Sequence, residues 1–211
     1  MRCLQAQTLE EWICEVRDDC PDGSARAVVE QLGDPRIHYV GNKPQKFMVR
    51  NLDDCFLREN AYGADYFFML EDDNQVRPEI MARGAEIIEQ AGVTICQLNQ
   101  VIEHRGVAGE GRIDDTGVFD ELYAERVHAP EERHLGMFGA VGISNGALFW
   151  SRHIRRELAL GIETLPTLEE YLRTRLVGEP IYISREKLAV WSKDEELTQR
   201  NAGVGKSWLR R

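Results

Sequence analysis

The sequence predicts an α/β fold, a sheet layered with helices, from three observations. Segments with the apolar pattern of strands take turns with segments of helical period through roughly the first hundred residues. Glycine or proline punctuates most of the junctions. The run Tyr66-Phe67-Phe68-Met69-Leu70 is apolar throughout and bounded by turn residues, the pattern of a parallel-sheet strand covered on both faces.

Taken in order, Trp12-Ile13-Cys14-Glu15-Val16, at the end of 8–16, predicts a first strand ahead of the turn cluster 18–23. Residues 24–32 have helical periodicity in Ala27, Val28 and Leu32 and stop at Gly33, and Ile37-His38-Tyr39-Val40 predicts the next strand. A helix over 48–59 is closed by Gly63. After the strand at 66–70, Pro78 suits the first turn of a helix whose Ile80, Met81, Ala85, Ile87 and Ile88 carry it to Gly92, and 93–98 is again a strand. From there the periodicity loosens. Several glycines and many charges in 105–133 predict a long functional loop or a mobile lid. Residues 146–150, helices over 153–160 and 168–176, and strands near Ile181 and Leu188 complete a mixed second half. One domain is expected over 1–192, in halves 1–104 and 105–192, followed by a solvated tail over 193–211.

Composition limits the partners. The chain has 211 residues, with 26 Lys and Arg against 36 Asp and Glu, a formal charge of −10, which argues against nucleic acid. Hydrophobic residues make up 43% and the mean hydropathy is −0.41, so the chain is neither disordered nor membrane-embedded on composition. Its longest apolar stretches fall far short of the roughly 20 residues that span a bilayer, so no transmembrane segment is expected. Met1-Arg2-Cys3-Leu4-Gln5 offers no apolar signal region. Five cysteines without a Cys-x-x-Cys pair suit reduced, structural thiols in the cytoplasm.

The strongest chemical signal is Glu71-Asp72-Asp73-Asn74, where an apolar strand ends and a loop begins. Ligands collect beyond the carboxyl ends of strands in open α/β sheets, and adjacent carboxylates there suit a hard divalent cation. Three acids in a row repel one another unless a cation or hydrogen bonds offset the charge. The alternative is a solvated turn leading into the helix near Pro78. A second pair, Asp18-Asp19, precedes Asp22-Gly23-Ser24 in another strand-to-helix turn, where it either shares that crevice or serves ordinary turn and N-cap chemistry.

Together these features resemble the GT-A fold glycosyltransferases of family two, nucleotide-sugar-dependent enzymes, over most of the chain. Gln7-Thr8 and Trp12, then Val16-Arg17-Asp18-Asp19-Cys20-Pro21-Asp22-Gly23-Ser24, are similar to the family's Gln-Thr segment and its Asp-Asp-Gly-Ser turn, one residue shorter. Asp34-Pro35-Arg36-Ile37 resembles the next strand entry and Arg50-Asn51 the Arg-Asn beneath the donor site. The closest match runs from Gly63-Ala64-Asp65-Tyr66 through Glu71-Asp72-Asp73-Asn74 to Pro78-Glu79, the family's strand, DXD-type metal motif and helix start. The resemblance implies a Rossmann-like mixed sheet flanked by helices, with a nucleotide-binding half (1–104) and an acceptor half (105–192). It implies a UDP-sugar or related donor, a saccharide or other hydroxyl acceptor, and Mg²⁺ or Mn²⁺. Asp18 and Asp19 would lie in the nucleotide turn, Asp19 accepting a hydrogen bond from the base. Asp72 would touch the ribose, Asp73 would ligate the metal and Arg50 would meet the diphosphate. For Arg50 the residues alone also allow an exposed pairing with Asp53 or Asp54.

An inverting transfer needs a base for the acceptor hydroxyl. The family's Glu-Asp motif has its counterpart in Leu168-Glu169-Glu170-Tyr171, which makes Glu170 or Glu169 the base; glutamate for aspartate extends the carboxylate by one bond, about 1.5 Å. Pro166-Thr167-Leu168-Glu169-Glu170 also fits a capping box. His104, His128, His134 and His153 lack metal-ligand spacing, and Gly142-Ile143-Ser144-Asn145-Gly146 lacks the context of a nucleophile elbow, although the family places acceptor residues in such a segment. Trp191-Ser192-Lys193 stands where the family has a histidine. Family members also carry an apolar strand and a Pro-Thr turn before the Gln-Thr segment, and this chain starts after both. The resemblance therefore implies an N-terminal truncation, with a central strand's partners unpaired at about 1 to 3 kcal/mol per group unless another segment fills the gap. Two other readings stay open: an inactive relative, and a metal-dependent phosphohydrolase or nucleotidyltransferase using the same acidic turn.

Overall fold

Side chains alternate across the central strands, and the two faces they serve are both apolar. The computed structural model describes residues 1–106, 111–137, 142–144 and 146–194. Its larger sheet has the order β3 (Tyr66–Phe68), β8 (Leu148–Ser151), β5 (Ile95–Arg105), β9 (Ile181–Asp194), β4 (Gln75–Val76), with β6 (Gly111–Ile113) on β5 and β7 (Arg126–His128) on β9. The β5–β9 ladder is parallel and the other ladders of this sheet are antiparallel. Ile95, Leu148, Trp150, Ile181 and Ile183 point to one face, where Phe56, Phe119 and Leu158 cover them. Cys96, Leu98, Phe149 and Ala189 point to the other, under Ile80, Ile87 and Ile88 of α4 (Ile80–Ala91). Burying both faces supplies the main stabilisation of such a layer.

The helices follow from their boundaries. α2 (Ser24–Leu32) ends before Gly33, as its periodicity predicts. α4 ends at Gly92, whose φ of 62° is left-handed, a conformation open to glycine at little cost. The start of α4 is held from a distance: Gln7, buried, accepts the Met81 N–H on Oε1 and donates from Nε2 to the carbonyls of Cys3 and Arg77. This docks the short α1 (Arg2–Gln5) beside β4.

Several expectations need correction. The strand at 66–70 is not a central parallel strand; β3 is a short, half-buried edge strand antiparallel to β8. β1 (Cys14–Asp18) and β2 (Ile37–Gly41) form a separate parallel pair. Each of β1 and β3 has one ladder partner among the described residues, β2 and β8. The helix over 48–59 is α3 (Phe47–Cys55). The segment 105–133 is no continuous loop: β6, β7 and the start of α5 (Pro130–Gly136) lie in it, while 107–110 are outside the described residues. No helix forms over 153–160; these residues run as turns that bury Ile154 and Leu158. The two strands near Ile181 and Leu188 are one, β9. Of the tail, 193–194 belong to β9 and 195–211 lie outside the described residues.

The cysteines are free, and burial pushes the Cys14 thiol up to about 11 and Cys96 higher still, as inert structural thiols require. No helix among the described residues is long and apolar enough to cross a membrane.

Candidate active site

The turn 71–74 leaves the carboxyl end of β3 and enters β4, which lies at the opposite end of the strand order, so its acids lie on the crossing from one edge of the sheet to the other. Asn74 shapes it from within: buried, it donates from Nδ2 to Glu71 Oε2 at 2.6 Å and accepts the Ser192 N–H of β9 on Oδ1 at 2.9 Å. Burial pushes the Glu71 carboxyl up to about 7, and the nearby charges of Asp73, Glu170 and Asp72 push the same way. Glu71 and Asp73 are nonetheless both solvent-exposed. Asp73 is also raised, by burial and then Asp72, with Arg105 opposing. Asp72 is exposed.

The second group of acids is on α6 (Pro166–Leu176), whose N-cap position is Leu165, so the expected capping box does not form there. Its first turn separates two adjacent carboxylates. Glu169 is 1% exposed and committed to the fold: Arg173 Nε lies 2.5 Å from Oε1 and Ser144 Oγ donates to it at 3.0 Å. Arg173 also holds Asp53 Oδ1 at 2.8 Å and the Leu158 carbonyl at 2.5 Å, and stacks on Phe56. Glu170 has no such partner; its Oε1 accepts the Ser144 N–H at 3.2 Å. Burial first, then the charge of Glu169, pushes Glu170 up to about 7, against the Ser144 N–H, Arg133 and Arg173. Residue 142 must be glycine for this packing, because a Cβ there would fall 2.3 Å from Glu170 Oε1 and 2.6 Å from Thr174 Oγ1.

The remaining predicted site residues lie apart from this group. Asp18 accepts the N–H groups of Cys20 and Ala25 and the Tyr39 hydroxyl. Asp19 accepts the N–H groups of Lys46 at 2.7 Å and Phe47 at 2.8 Å, and the Asn42 amide at 3.2 Å. Desolvation is the largest influence on both acids and acts upward, but these donors outweigh it and hold both below the usual aspartate value. Phe47, clamped this way, opens α3 at a left-handed φ of 57°. Arg50 pairs with Glu163 at 2.9 Å on the surface and not with Asp53 or Asp54. No hydrogen bond or ion pair among the described residues joins the Asp18–Asp19 turn to the 71–74 turn. The link is indirect: Asp19 anchors the start of α3, α3 packs on α6 through Asp53 and Arg173, and the charge of Glu170 on α6 acts on Glu71.

Sequence reasoning singled out Asp72 and Asp73 and passed over Glu71, although it belongs to the same acidic string. The segment with Gly142 and Ser144 was noted for its glycines, but its contact with Glu169 and Glu170 was not foreseen, because Ser144 lies 25 and 26 residues from them in the chain. No three His, Cys, Asp or Glu side chains among the described residues are grouped to hold a metal alone.

This architecture recurs in known structures. S. aureus TarS, a glycosyltransferase, matches over 90% of this chain and 55% of the TarS 1–349 chain, with 14% identity and a TM-score of 0.58. The same TarS region in complex with UDP-GlcNAc matches with 15% identity and a TM-score of 0.59, over 92% of this chain and 54% of that one. The fold is GT-A type. Its complex with UDP matches with 14% identity and a TM-score of 0.52, over 91% and 55% of the two chains. This chain therefore spans about 55% of the TarS 1–349 chains it matches. No protein-family model and no curated protein sequence matches it. The 71–74 turn follows the carboxyl end of β3, where the general rule for open α/β sheets puts ligands.

Proposed function

We propose that this chain is a nucleotide-sugar glycosyltransferase of the family-two type, moving a sugar from a UDP-sugar donor to a saccharide or other hydroxyl acceptor with inversion. The observation that carries this reading is Glu170, a carboxylate with a pKa of about 7 whose charge acts on Glu71 of the acidic turn, in a fold shared with a protein that binds UDP-GlcNAc. A carboxylate titrating near neutrality is suited to take a proton from an acceptor hydroxyl.

In the proposed reaction the acceptor oxygen attacks the anomeric carbon from the face opposite the diphosphate. A new C–O bond forms, the bond from the anomeric carbon to the diphosphate oxygen breaks, and Glu170 receives the hydroxyl proton. Glu169 takes no part because its charge is spent on Arg173 and Ser144. Ser144 N–H and Gly142 hold Glu170 in place, and Asp19 acts by fixing the start of α3, which carries Arg50.

The residues fit a hard divalent cation. Glu71, Asp72 and Asp73 are oxygen donors whose mutual repulsion a cation would relieve, and Mg²⁺ or Mn²⁺ commonly takes one or two carboxylates and completes its shell with phosphate oxygens and water. Asp73 and Glu71 are the residues that would hold it. Once bound, such a cation stabilises the charge on a departing diphosphate.

The test is thermal stabilisation by UDP, GDP, dTDP and CMP with and without Mn²⁺, comparing wild type with Asp73→Ala. A Mn²⁺-dependent gain with UDP, absent in the variant, supports the reading. Equal gains in both proteins remove Asp73 from the site, and release of phosphate without sugar transfer converts the reading to a phosphohydrolase.

A further inference from the structure

The acidic turn is tied to the sheet by a side-chain network that the proposed chemistry does not itself use. Glu103 and Ser192 face each other as register partners near the carboxyl ends of the parallel strands β5 and β9. Ser192 Oγ donates to Glu103 Oε2 at 2.6 Å and accepts from Arg105 Nη2 at 2.8 Å, while Arg105 Nε donates to Glu103 Oε2 at 2.9 Å. The three side chains close a triangle that fixes the guanidinium in place. The same Nη2 reaches out of the triangle and donates to the main-chain carbonyl of Asp73 at 3.1 Å. One residue further on, Asn74 takes the Ser192 N–H and gives its amide to Glu71. Ser192 is thus the shared anchor for both ends of the acidic turn, one through Arg105 and one through Asn74.

We propose that Arg105, locked by Glu103 and Ser192, is a positioning residue that presets the Asp73 main chain so that its carboxylate faces the cation and diphosphate site. This rests on the function proposed above. Three acids on one short turn would otherwise spread to reduce their repulsion, and a turn that must be gathered afresh for each ligand binds it more weakly. Arg105 has the planar, five-donor head that this task needs, since it serves Glu103, Ser192 and Asp73 together; a lysine ammonium at the end of a flexible stem could keep the charge but not that fixed fork. Half-exposed, Arg105 also brings a positive charge beside Asp73 without neutralising the cleft.

The experiment is a Mn²⁺ titration read by UDP-dependent thermal stabilisation and, independently, by the electron paramagnetic resonance signal of free Mn²⁺. Wild type, Arg105→Ala, Arg105→Lys, Ser192→Ala and the surface control Arg112→Ala are compared. Loss of an outer-shell partner typically costs about 10-fold to 100-fold in metal affinity, so Arg105→Ala is expected to raise the Mn²⁺ midpoint by about 10-fold. Arg105→Lys should recover less than half of that on a logarithmic scale, Ser192→Ala should move the midpoint in the same direction, and Arg112→Ala should leave it alone. A merely structural role lowers the melting temperature with an unchanged midpoint and overturns the proposal. Full rescue by lysine also overturns it, because charge rather than position would then be the cause. If Arg105→Ala does not fold, an unmoved midpoint in both Arg105→Lys and Ser192→Ala overturns it equally. Failure of the wild type itself to show Mn²⁺-dependent UDP binding would remove the parent reading, an outcome distinct from wild-type binding that Arg105 does not influence.

Discussion

Glu169 and Arg173 form an ion pair at 2.5 Å with neither side chain more than 1% exposed, and the adjacent Glu170 lies outside that pair, its Oε1 on the Ser144 N–H and its charge felt by Glu71. One helical turn thus sorts two chemically identical neighbours into a structural anion and a titratable one. The cause is packing: Arg173 reaches back one turn to Glu169 and outward to Asp53, so the guanidinium is satisfied before Glu170 can compete.

The first prediction separates these two acids. Glu170→Gln keeps the Ser144 contact and is expected to fold with a melting temperature no lower than that of the wild type while losing about 100-fold to 10,000-fold in kcat, the usual worth of a positioned base. The wild-type kcat/KM should climb as pH rises through about 7, where Glu170 releases its proton, and level off above. A pH–rate profile on a UDP-sugar and a hydroxyl acceptor checks both; a variant with unaltered kcat ends the assignment.

Glu169→Ala should do the reverse. It leaves Arg173 Nε and Ser144 Oγ without their buried acceptor while Asp53 still holds the other end of the guanidinium, so the cost is expected at about 1 to 3 kcal/mol for the unsatisfied groups, roughly 5 °C in Tm for a domain of this size. Denaturation scans of the two variants side by side decide it, with equal losses counting against the division of labour.

How far these roles were legible in the sequence depends on the range of the contact that sets them. α2 and α4 were visible because periodicity and terminal glycines are local signals. β5 was read only to Leu98, since Asn99 and Gln100 look like the end of an apolar strand. It continues because the ladder to β9 carries on through Val101 to Arg105 and because distant groups satisfy Gln97 and Asn99: Gln97 accepts from Arg133, and Asn99 serves Asp120 and the Phe119 N–H. β6 and β7 hid among charges for the same reason, being held by their ladders to β5 and β9 rather than by an apolar face. The acidic turn announced itself, but the distinction between Glu169 and Glu170 depends on Asp53 and Ser144, which no spacing rule connects.

Asp19 gives the third prediction. Its carboxylate holds the N–H groups of Lys46 and Phe47, and it keeps Phe47 at a left-handed φ that costs a non-glycine residue roughly 1 to 2 kcal/mol. Asp19→Ala should orphan both donors, lower stability by about 1 to 3 kcal/mol and speed amide exchange at Lys46 and Phe47 while leaving α6 protected. Exchange that stays slow at those two amides would show that the turn does not depend on this side chain.

Gly142→Ala tests the floor under Glu170. The new methyl would lie 2.3 Å from Glu170 Oε1, too close for any contact, so either the carboxylate or the 142–144 segment must move. Overpacking of this kind costs typically about 1 to 3 kcal/mol. Activity is expected to fall further than stability alone accounts for, because the displaced group is the proposed base; a variant that loses stability but keeps full kcat would show that Glu170 need not sit where it does.

The last prediction concerns stability in EDTA, with no ligand added. Folding raises both Glu71 and Glu170 from 4.5 to about 7, so between these values the folded chain holds protons that the unfolded chain has released. Stability from this source is fully present below pH 4.5 and is lost as pH rises to about 7, after which two crowded carboxylates face each other charged. Glu170→Gln cannot acquire that charge. Its melting temperature should therefore match the wild type near pH 5 and exceed it at pH 8, with the gap opening between the two. Carboxylates held low elsewhere, such as Glu132 beside Arg126, titrate alike in both proteins and cancel in the comparison. A gap that is the same at every pH would mean that Glu170 is solvated as freely in the fold as in the unfolded chain, and the proposed base would lose the environment that tunes it.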